Sequence, residues 1–245
     1  MQRGGLVSLF LILALAFAAQ SSYAAKPRSS QKPKGSQAAK SQTLSRTKNA
    51  TTQGNEEQLQ KGAAARDSGD FSTAKKIFRP LAENGDDNAG FALGLMAARG
   101  EGGQQDFREA ERWWSASAAS GNPLSQFNLG LIYYTGALGN KNYAKAKALW
   151  SAAALQKQPD ALYGLGVLLV YGAEGVPKNL AEGLKNFEQA AAFGHAMAEL
   201  ELGNVYNAGE GVKKDKKKAR EYYKKAAAKG LEEAKTALDA MDAEK

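Results

Sequence analysis

Residues Asp106 to Gly121 read DFREAERWWSASAASG, and this stretch decides the fold because most of the chain after Asn88 repeats its pattern. Its frame is an Asp, an Ala four residues later, an aromatic residue four after that, and a Gly seven further on. The four positions return in five copies that step by 36, 36, 37 and 36 residues. A period in this range is typical of solenoids, in which short units stack on their neighbours.

Each frame position keeps its residue type with few exceptions. The first position holds Asp70, Asp106, Asn142, Asn179 and Asp215, and the second holds Ala74, Ala110, Ala146, Gly183 and Ala219. The third holds Phe78, Trp114, Trp150, Phe187 and Tyr223, and the fourth holds Gly85, Gly121, Lys157, Gly194 and Gly230. Asp or Asn suits a helix N-cap, and Gly suits the residue just past a helix. The stretch is therefore one helix, called helix B.

A second frame precedes helix B in each unit after the first and predicts a helix A. Its Leu-Gly pairs are Leu93-Gly94, Leu129-Gly130, Leu165-Gly166 and Leu202-Gly203. A glycine inside a helix costs up to ~1 kcal/mol against Ala, so its repetition indicates close contact between helix backbones. The in-phase aromatics Phe91, Phe127 and Tyr163 are interpreted as core residues, like the aromatics of helix B. The predicted fold is all-α, a right-handed α/α superhelical solenoid of helix-turn-helix repeats.

The charge distribution separates a basic N-terminal segment from a neutral remainder. Of 33 basic residues, eight precede Glu56, and the other 25 equal the acidic residues in number. The N-terminus has the pattern of a secretory signal peptide: Arg3, the apolar run 6–19 and the small residues of Ser22-Tyr23-Ala24. The alternative, an uncleaved membrane anchor, needs a longer apolar run. We therefore expect a periplasmic or secreted protein. There is no cysteine, so no disulfide or thiolate metal site is expected.

The repeat boundaries and composition give a domain plan. A signal peptide spans 1–24, and 25–55 is predicted to be a disordered basic linker because it has almost no large apolar residues. The helical part comprises a shorter first unit at 56–85, four repeats at 86–121, 122–157, 158–194 and 195–230, and a C-terminal capping helix at 231–245.

The last repeat carries the fullest motif. Residues 198–215 read AELELGNVYNAGEGVKKD, followed by Lys218-Ala219, Tyr223, Ala227-Ala228 and Gly230. This pattern resembles the Sel1-like repeat, a longer-looped relative of the tetratricopeptide repeat, and the unit at 56–85 is closer to a tetratricopeptide unit. The resemblance implies a protein-binding adaptor, exported in many bacterial members, in envelope regulation, secretion or host contact. A cysteine-rich branch of the family has been linked to β-lactam binding or hydrolysis. That activity is not expected here, because cysteine is absent.

No grouping of residues predicts catalysis, a cofactor or a metal. His195 is the only histidine and follows a helix-ending Gly, so it is interpreted as a turn residue. The Gly-rich loops such as Gly209-Glu210-Gly211 lie between helices and lack the Lys-Ser/Thr pair of a phosphate loop. We expect no enzyme, and no nucleic-acid binding, because the basic segment has no interleaved aromatics.

Two surfaces are candidates for binding. The first is the side of helix A that the frame leaves free, which in a solenoid lines the concave face. Tyr134 and Tyr171 are the expected binding anchors on it. The alternative is that these two rings only fill gaps between units. The residues of this side are Arg99, Gln126, Asn128, Tyr134, Thr135, Tyr171, Glu201, Asn204 and Asn207. The second is Lys213 to Lys229, with nine basic and two acidic residues.

These surfaces give two hypotheses. The first is a non-enzymatic adaptor for a protein or peptide partner. The alternative is an envelope protein that makes weak contact with anionic polymers or lipid through the basic linker and the Lys213–Lys229 stretch. That stretch is also consistent with an ordinary solvated helix.

Overall fold

The computed structural model describes residues 40–243, which form eleven helices without a β-strand. In chain order they are α1 (Lys40–Asp67), α2 (Phe71–Glu83), α3 (Asp87–Arg99), α4 (Phe107–Ala119), α5 (Pro123–Thr135), α6 (Tyr143–Leu155), α7 (Pro159–Tyr171), α8 (Leu180–Ala192), α9 (Ala196–Ala208), α10 (Lys216–Ala228) and α11 (Glu232–Ala243). They fall into two compact units, the first ending at Asn122 and the second beginning at Pro123. Helices α3, α5, α7 and α9 are the predicted helices A, and α4, α6, α8 and α10 are helices B. The all-α class is confirmed.

Helix B begins where the frame predicts, because its first position is an N-cap. The side chains of Asp106 and Asn179 accept hydrogen bonds from backbone N–H groups of the first turn, and so do those of Asp70, Asn142 and Asp215. Past the other end, four of the five copies have a glycine with positive φ. The fifth is Lys157, with φ 63°, the only such non-glycine residue among those described.

The Leu-Gly glycines face aromatic rings of helix B. A Cβ added at Gly130 would lie 2.5 Å from Trp150 Nε1, far inside van der Waals contact. The same arrangement recurs as Gly62 with Phe78, Gly94 with Trp114, Gly166 with Phe187 and Gly203 with Tyr223. Glycine therefore leaves room for the ring of helix B, including in the shorter first unit. In the 158–194 repeat the helix backbones also approach closely, since the Gly166 carbonyl oxygen lies 3.1 Å from a Cβ added at Gly183.

The two tryptophans of this series are also held by hydrogen bonds. Trp114 Nε1 donates to the Phe91 carbonyl at 3.2 Å, and Trp150 Nε1 donates to the Phe127 carbonyl at 3.0 Å. Both indoles are almost fully buried. Ring burial and a satisfied N–H together fix helix B against its own helix A.

Helix α1 corrects the predicted linker. Residues 40–55, predicted to be disordered, are helical, whereas 1–39 lie outside the described residues. The physical reason is that a helix anchored at one end extends along the chain. Leu59 and Ala63 pack against the core around Phe78, and the sequence has no proline between Pro33 and Pro80 to interrupt the helix.

The last helix, α11, covers the end of the second unit. Ala234 and Met241 are buried while both glutamates of its first turn are exposed. The Arg220 guanidinium on α10 donates to Asp242 at 2.7 Å and holds the two helices together.

Candidate partner-binding site

Arg99 is the one candidate in the first unit. It ends α3, and its guanidinium pairs with Glu101 at 3.4 Å, while Arg66 pairs with the same carboxylate at 2.8 Å. Burial lowers the pKa of the Arg99 guanidinium, an effect that the Glu101 charge partly reverses. Arg99 thus stabilises the loop after α3.

Gln126 and Asn128 are buried, so the prediction that they lie on an exposed side is wrong. Gln126 Oε1 accepts a hydrogen bond from Gln156 Nε2 at 3.2 Å, which ties α5 to the end of α6. Asn128 Nδ2 donates to the Leu124 carbonyl at 2.7 Å. Thr135 is half-buried, and its hydroxyl donates to the Leu131 carbonyl at 2.8 Å. All three side chains bond within the fold.

Tyr134 is half-buried between α5 and α6. Its ring lies 5.1 Å from that of Trp150 and meets Tyr143 edge-on at 5.4 Å. Burial, followed by the Tyr143 hydroxyl, raises the pKa of Tyr134 to about 12. Tyr134 therefore packs between the two helices of its own repeat, whereas the alternative considered from the sequence placed it in a gap between units.

Three other candidates come together on α7 and α9. Tyr171 ends α7 with half its surface exposed, and its hydroxyl donates to Glu201 Oε2 at 3.3 Å. The Asn204 side chain hydrogen-bonds to the Glu201 carboxylate, and its Oδ1 accepts from the Tyr223 hydroxyl at 2.9 Å. Asn207 lies one turn further along α9 and is half-buried.

A fifth member, Tyr163, was interpreted from the sequence only as a core aromatic. Its side chain is 2% exposed, its ring stacks on His195 at 4.6 Å, and its hydroxyl has no hydrogen-bond partner within residues 40–243. Burial raises the pKa of Tyr163, and the charge of Glu201 and the hydroxyl of Tyr171 raise it further. Phe91 and Phe127 occupy the same repeat position, so the added hydroxyl was the available signal. We call Tyr163, Tyr171, Glu201, Asn204 and Tyr223 the Glu201 cluster.

The Glu201 carboxylate has no cationic partner among the described residues; its hydrogen bonds come from Tyr171 and Asn204. Burial raises the pKa of Glu201, and the two hydrogen bonds only partly reverse the shift. The in-phase residues of the two preceding repeats are Asn128 and Gly164, both uncharged. The cluster therefore places one uncompensated negative charge among phenols.

Several of the nine basic residues in the Lys213–Lys229 stretch are paired within the fold. Lys218 Nζ donates to the Tyr206 hydroxyl at 2.5 Å and lies 3.9 Å above its ring. Arg220 pairs with Asp242, and Lys229 Nζ pairs with the buried Glu199 carboxylate at 2.6 Å. These contacts leave fewer free cations than the sequence suggested.

His195 is the N-cap of α9, as its interpretation as a turn residue predicts. Its Nδ1 accepts a hydrogen bond from the Ala198 N–H at 3.3 Å, and its Nε2 lies 3.4 Å from Asp160 Oδ1. Both ring nitrogens are therefore used in the turn between α8 and α9.

These features define an all-α repeat solenoid, and the sequence frame assigns it to a family. The model of the Sel1 repeat matches residues 89–122, 123–157, 159–195 and 196–231, against the predicted repeats at 86–121, 122–157, 158–194 and 195–230. The chain belongs to the Sel1 repeat family, which confirms the resemblance. Proteins of this family are typically non-catalytic scaffolds for protein interaction.

Solved structures agree with this assignment. A Sel1 repeat protein from Oxalobacter formigenes is 31% identical, with 73% of each chain covered and a TM-score of 0.68. A sel1 repeat protein from Klebsiella pneumoniae is 21% identical, with 77% of this chain and 93% of that chain covered and a TM-score of 0.50, and it shows the fold alone. No curated protein matches the chain significantly. None of the described helices has the length and apolar character needed to cross a membrane.

Proposed function

We propose that this protein is an exported, non-enzymatic adaptor that binds a protein or peptide partner through the Glu201 cluster on helices α7 and α9. The observation that carries the proposal is Tyr171, an aromatic side chain that is 52% exposed beside Glu201, a carboxylate that no cation of the described residues pairs with. Exposed tyrosines at such places are frequent binding anchors because they bury a large area with few rotatable bonds. The family's role as an interaction scaffold supports the same function.

Crosslinking in the compartment where the protein resides tests this proposal. We expect a discrete protein to be recovered with the wild-type chain and lost with Tyr171→Ala. The matched control is Phe193→Ala, because Phe193 is a comparably exposed aromatic, at 51%, that lies at the end of α8. Loss of the partner with both variants, or with neither, contradicts a binding role for the Glu201 cluster.

Export has its own test. The signal-peptide pattern of residues 1–24 supports cleavage after Ala24. Expression of the full chain in an exporting bacterium, followed by mass spectrometry of the intact protein, is expected to give a mature chain that begins at Ala25. An intact chain retained in the cytoplasm contradicts export.

The alternative, contact with anionic envelope polymers through the Lys213–Lys229 stretch, has weaker support because Lys218, Arg220 and Lys229 are engaged within the fold. Charge reversal at Lys216 and Lys217 distinguishes the two functions. An adaptor keeps its partner, whereas a polymer-binding protein loses its retention on anionic material and shows strong salt sensitivity.

A further inference from the structure

We infer that the Glu201 cluster receives a basic side chain, an arginine or a lysine, from the partner. This inference rests on the proposed adaptor function and names the chemistry that the partner presents. Three observations on separate residues carry it: the carboxylate of Glu201, the buried hydroxyl of Tyr163 and the exposed ring of Tyr171.

The first observation is the charge of Glu201. In the described part of the chain its carboxylate pairs with neither a Lys nor an Arg, and its bond from Tyr171 is long, at 3.3 Å, for a hydroxyl donor. A carboxylate that is poor in donors and partly withdrawn from water binds a cation more strongly than an exposed carboxylate does.

The second observation is the Tyr163 hydroxyl. It is buried and finds no hydrogen-bond partner in the part of the chain that the structure describes, on a ring that packs against His195 and Phe187. An unsatisfied buried hydroxyl costs free energy that a ligand recovers by bonding to it. The hydroxyl oxygen accepts a hydrogen bond, and a guanidinium or ammonium carries several donors, so a cationic group has donors to offer Tyr163 besides those that it gives to Glu201.

The third observation is the position of Tyr171 over the carboxylate. Its ring is half exposed, and its hydroxyl makes the long bond to Glu201. Displacement of this hydroxyl by a stronger donor opens the carboxylate, while the phenol ring remains available to pack against the aliphatic stem or the face of a guanidinium.

The experiment is selection of a random hexapeptide display library on the full chain, in parallel with variants. We expect selected peptides to share an Arg or Lys at one fixed position, with this preference reduced about ten-fold or more in Glu201→Gln. Glu221→Gln is the control, because it removes the same charge from an exposed site on α10 and is expected to keep the preference.

Tyr163→Phe supplies a second variant whose folding is not in doubt, since Phe occupies this position in the two preceding repeats. We expect it to melt at the same or a higher temperature than the wild type, because it removes an unsatisfied buried hydroxyl, while a selected peptide binds several-fold more weakly. Equal affinity for wild type and Tyr163→Phe overturns the role of the hydroxyl.

The outcomes separate this inference from the proposed function. Two results overturn the inference and leave the adaptor function standing. In the first, the selected peptides lose binding to Tyr171→Ala but share no basic residue. In the second, the preference for a basic residue is the same with Glu201→Gln as with the wild type. Peptides indifferent to Tyr171→Ala contradict the adaptor site itself. If no peptide is enriched, and N-acetyl-arginine methylamide at tens of millimolar shifts no NMR signal of α7 or α9, the inference is also overturned.

Discussion

Replacement of Gly94 by alanine tests the packing rule that all five helix pairs share. In α3, Gly94 faces the ring of Trp114, which is 1% exposed and donates its N–H to the Phe91 carbonyl. A Cβ at this position would lie 2.9 Å from Trp114 Cε2 and nearer still to Nε1 and Cδ1. The indole must move, although alanine is the better helix former.

The opposing contributions can be compared. Alanine in place of a helical glycine gains up to ~1 kcal/mol. Overpacking a dense core costs about 1–3 kcal/mol, and loss of the buried indole hydrogen bond adds about 1–3 kcal/mol. The net expectation is a loss of about 3 kcal/mol in the free energy of unfolding, opposite in sign to helix propensity.

Urea unfolding followed by circular dichroism measures this change, with Gly54→Ala as the control. Gly54 lies in α1 of the same unit, with nothing within 4 Å of an added Cβ, so its replacement is expected to be neutral or slightly stabilising. The decisive background is Trp114→Leu, in which Gly94→Ala should lose most of its cost. An equal cost with and without the indole would refute the explanation by ring contact.

Three further predictions concern single positions and use the same unfolding measurement. Lys157→Gly is expected to stabilise by about 0.5–1 kcal/mol, because Lys157 alone of the described non-glycine residues has positive φ; an unchanged midpoint contradicts this. Lys229→Gln should destabilise by roughly 1–3 kcal/mol, because it leaves the buried Glu199 carboxylate unpaired, although Lys229 itself is partly exposed. Adding Glu199→Gln should recover most of that loss, because positions 199 and 229 correspond in the repeat to Gln126 and Gln156, whose side chains hydrogen-bond to each other. A double variant no more stable than Lys229→Gln would contradict this correspondence. Glu201→Gln should be at least as stable as wild type at neutral pH. Because the folded-state pKa of Glu201 is raised, its contribution to stability is present below its ordinary pKa and is lost as the pH rises through the raised value. The difference between wild type and Glu201→Gln should therefore change as the pH rises from below the ordinary glutamate pKa through the raised value, since the facing phenols of Tyr163, Tyr171 and Tyr223 titrate only in alkali; a pH-independent difference argues against a raised pKa.

The repeat frame made the fold predictable because each frame residue has a local physical role. An Asp or Asn caps a helix whatever its surroundings, and a glycine just past a helix adopts positive φ, so Asp106 and Gly121 mark the ends of α4 without tertiary information. The role of Gly94 was only half predictable. The repeated glycine predicts that another group approaches helix A closely. Whether that group is a backbone or the ring of Trp114 depends on how the two helices cross.

Burial of the non-frame residues was not predictable from the period. Gln126 and Asn128 are polar and lie outside the frame, which favoured an exposed side, yet each finds a hydrogen-bond partner inside the second unit. A polar side chain is buried readily when such a partner is present, and the partner Gln156 is thirty residues away in the chain. Pairings of this kind are visible only in three dimensions.

The repeats also act as internal controls for the Glu201 cluster. A core position needs an apolar ring, and phenylalanine supplies one at Phe91 and Phe127, so packing does not explain the hydroxyl of Tyr163. Likewise, Asn128 and Gly164 show that the position of Glu201 needs no charge for the helices to pack. Two departures that each cost stability, an unsatisfied hydroxyl and a partly buried carboxylate, occur on neighbouring helices A, and the charge of Glu201 contributes to the raised pKa of Tyr163. Departures from the frame for packing reasons would be expected to lower the free energy of the fold. Since these raise it, and since a partner's cation would compensate the charge of Glu201, recognition of a partner explains the pair better than packing does.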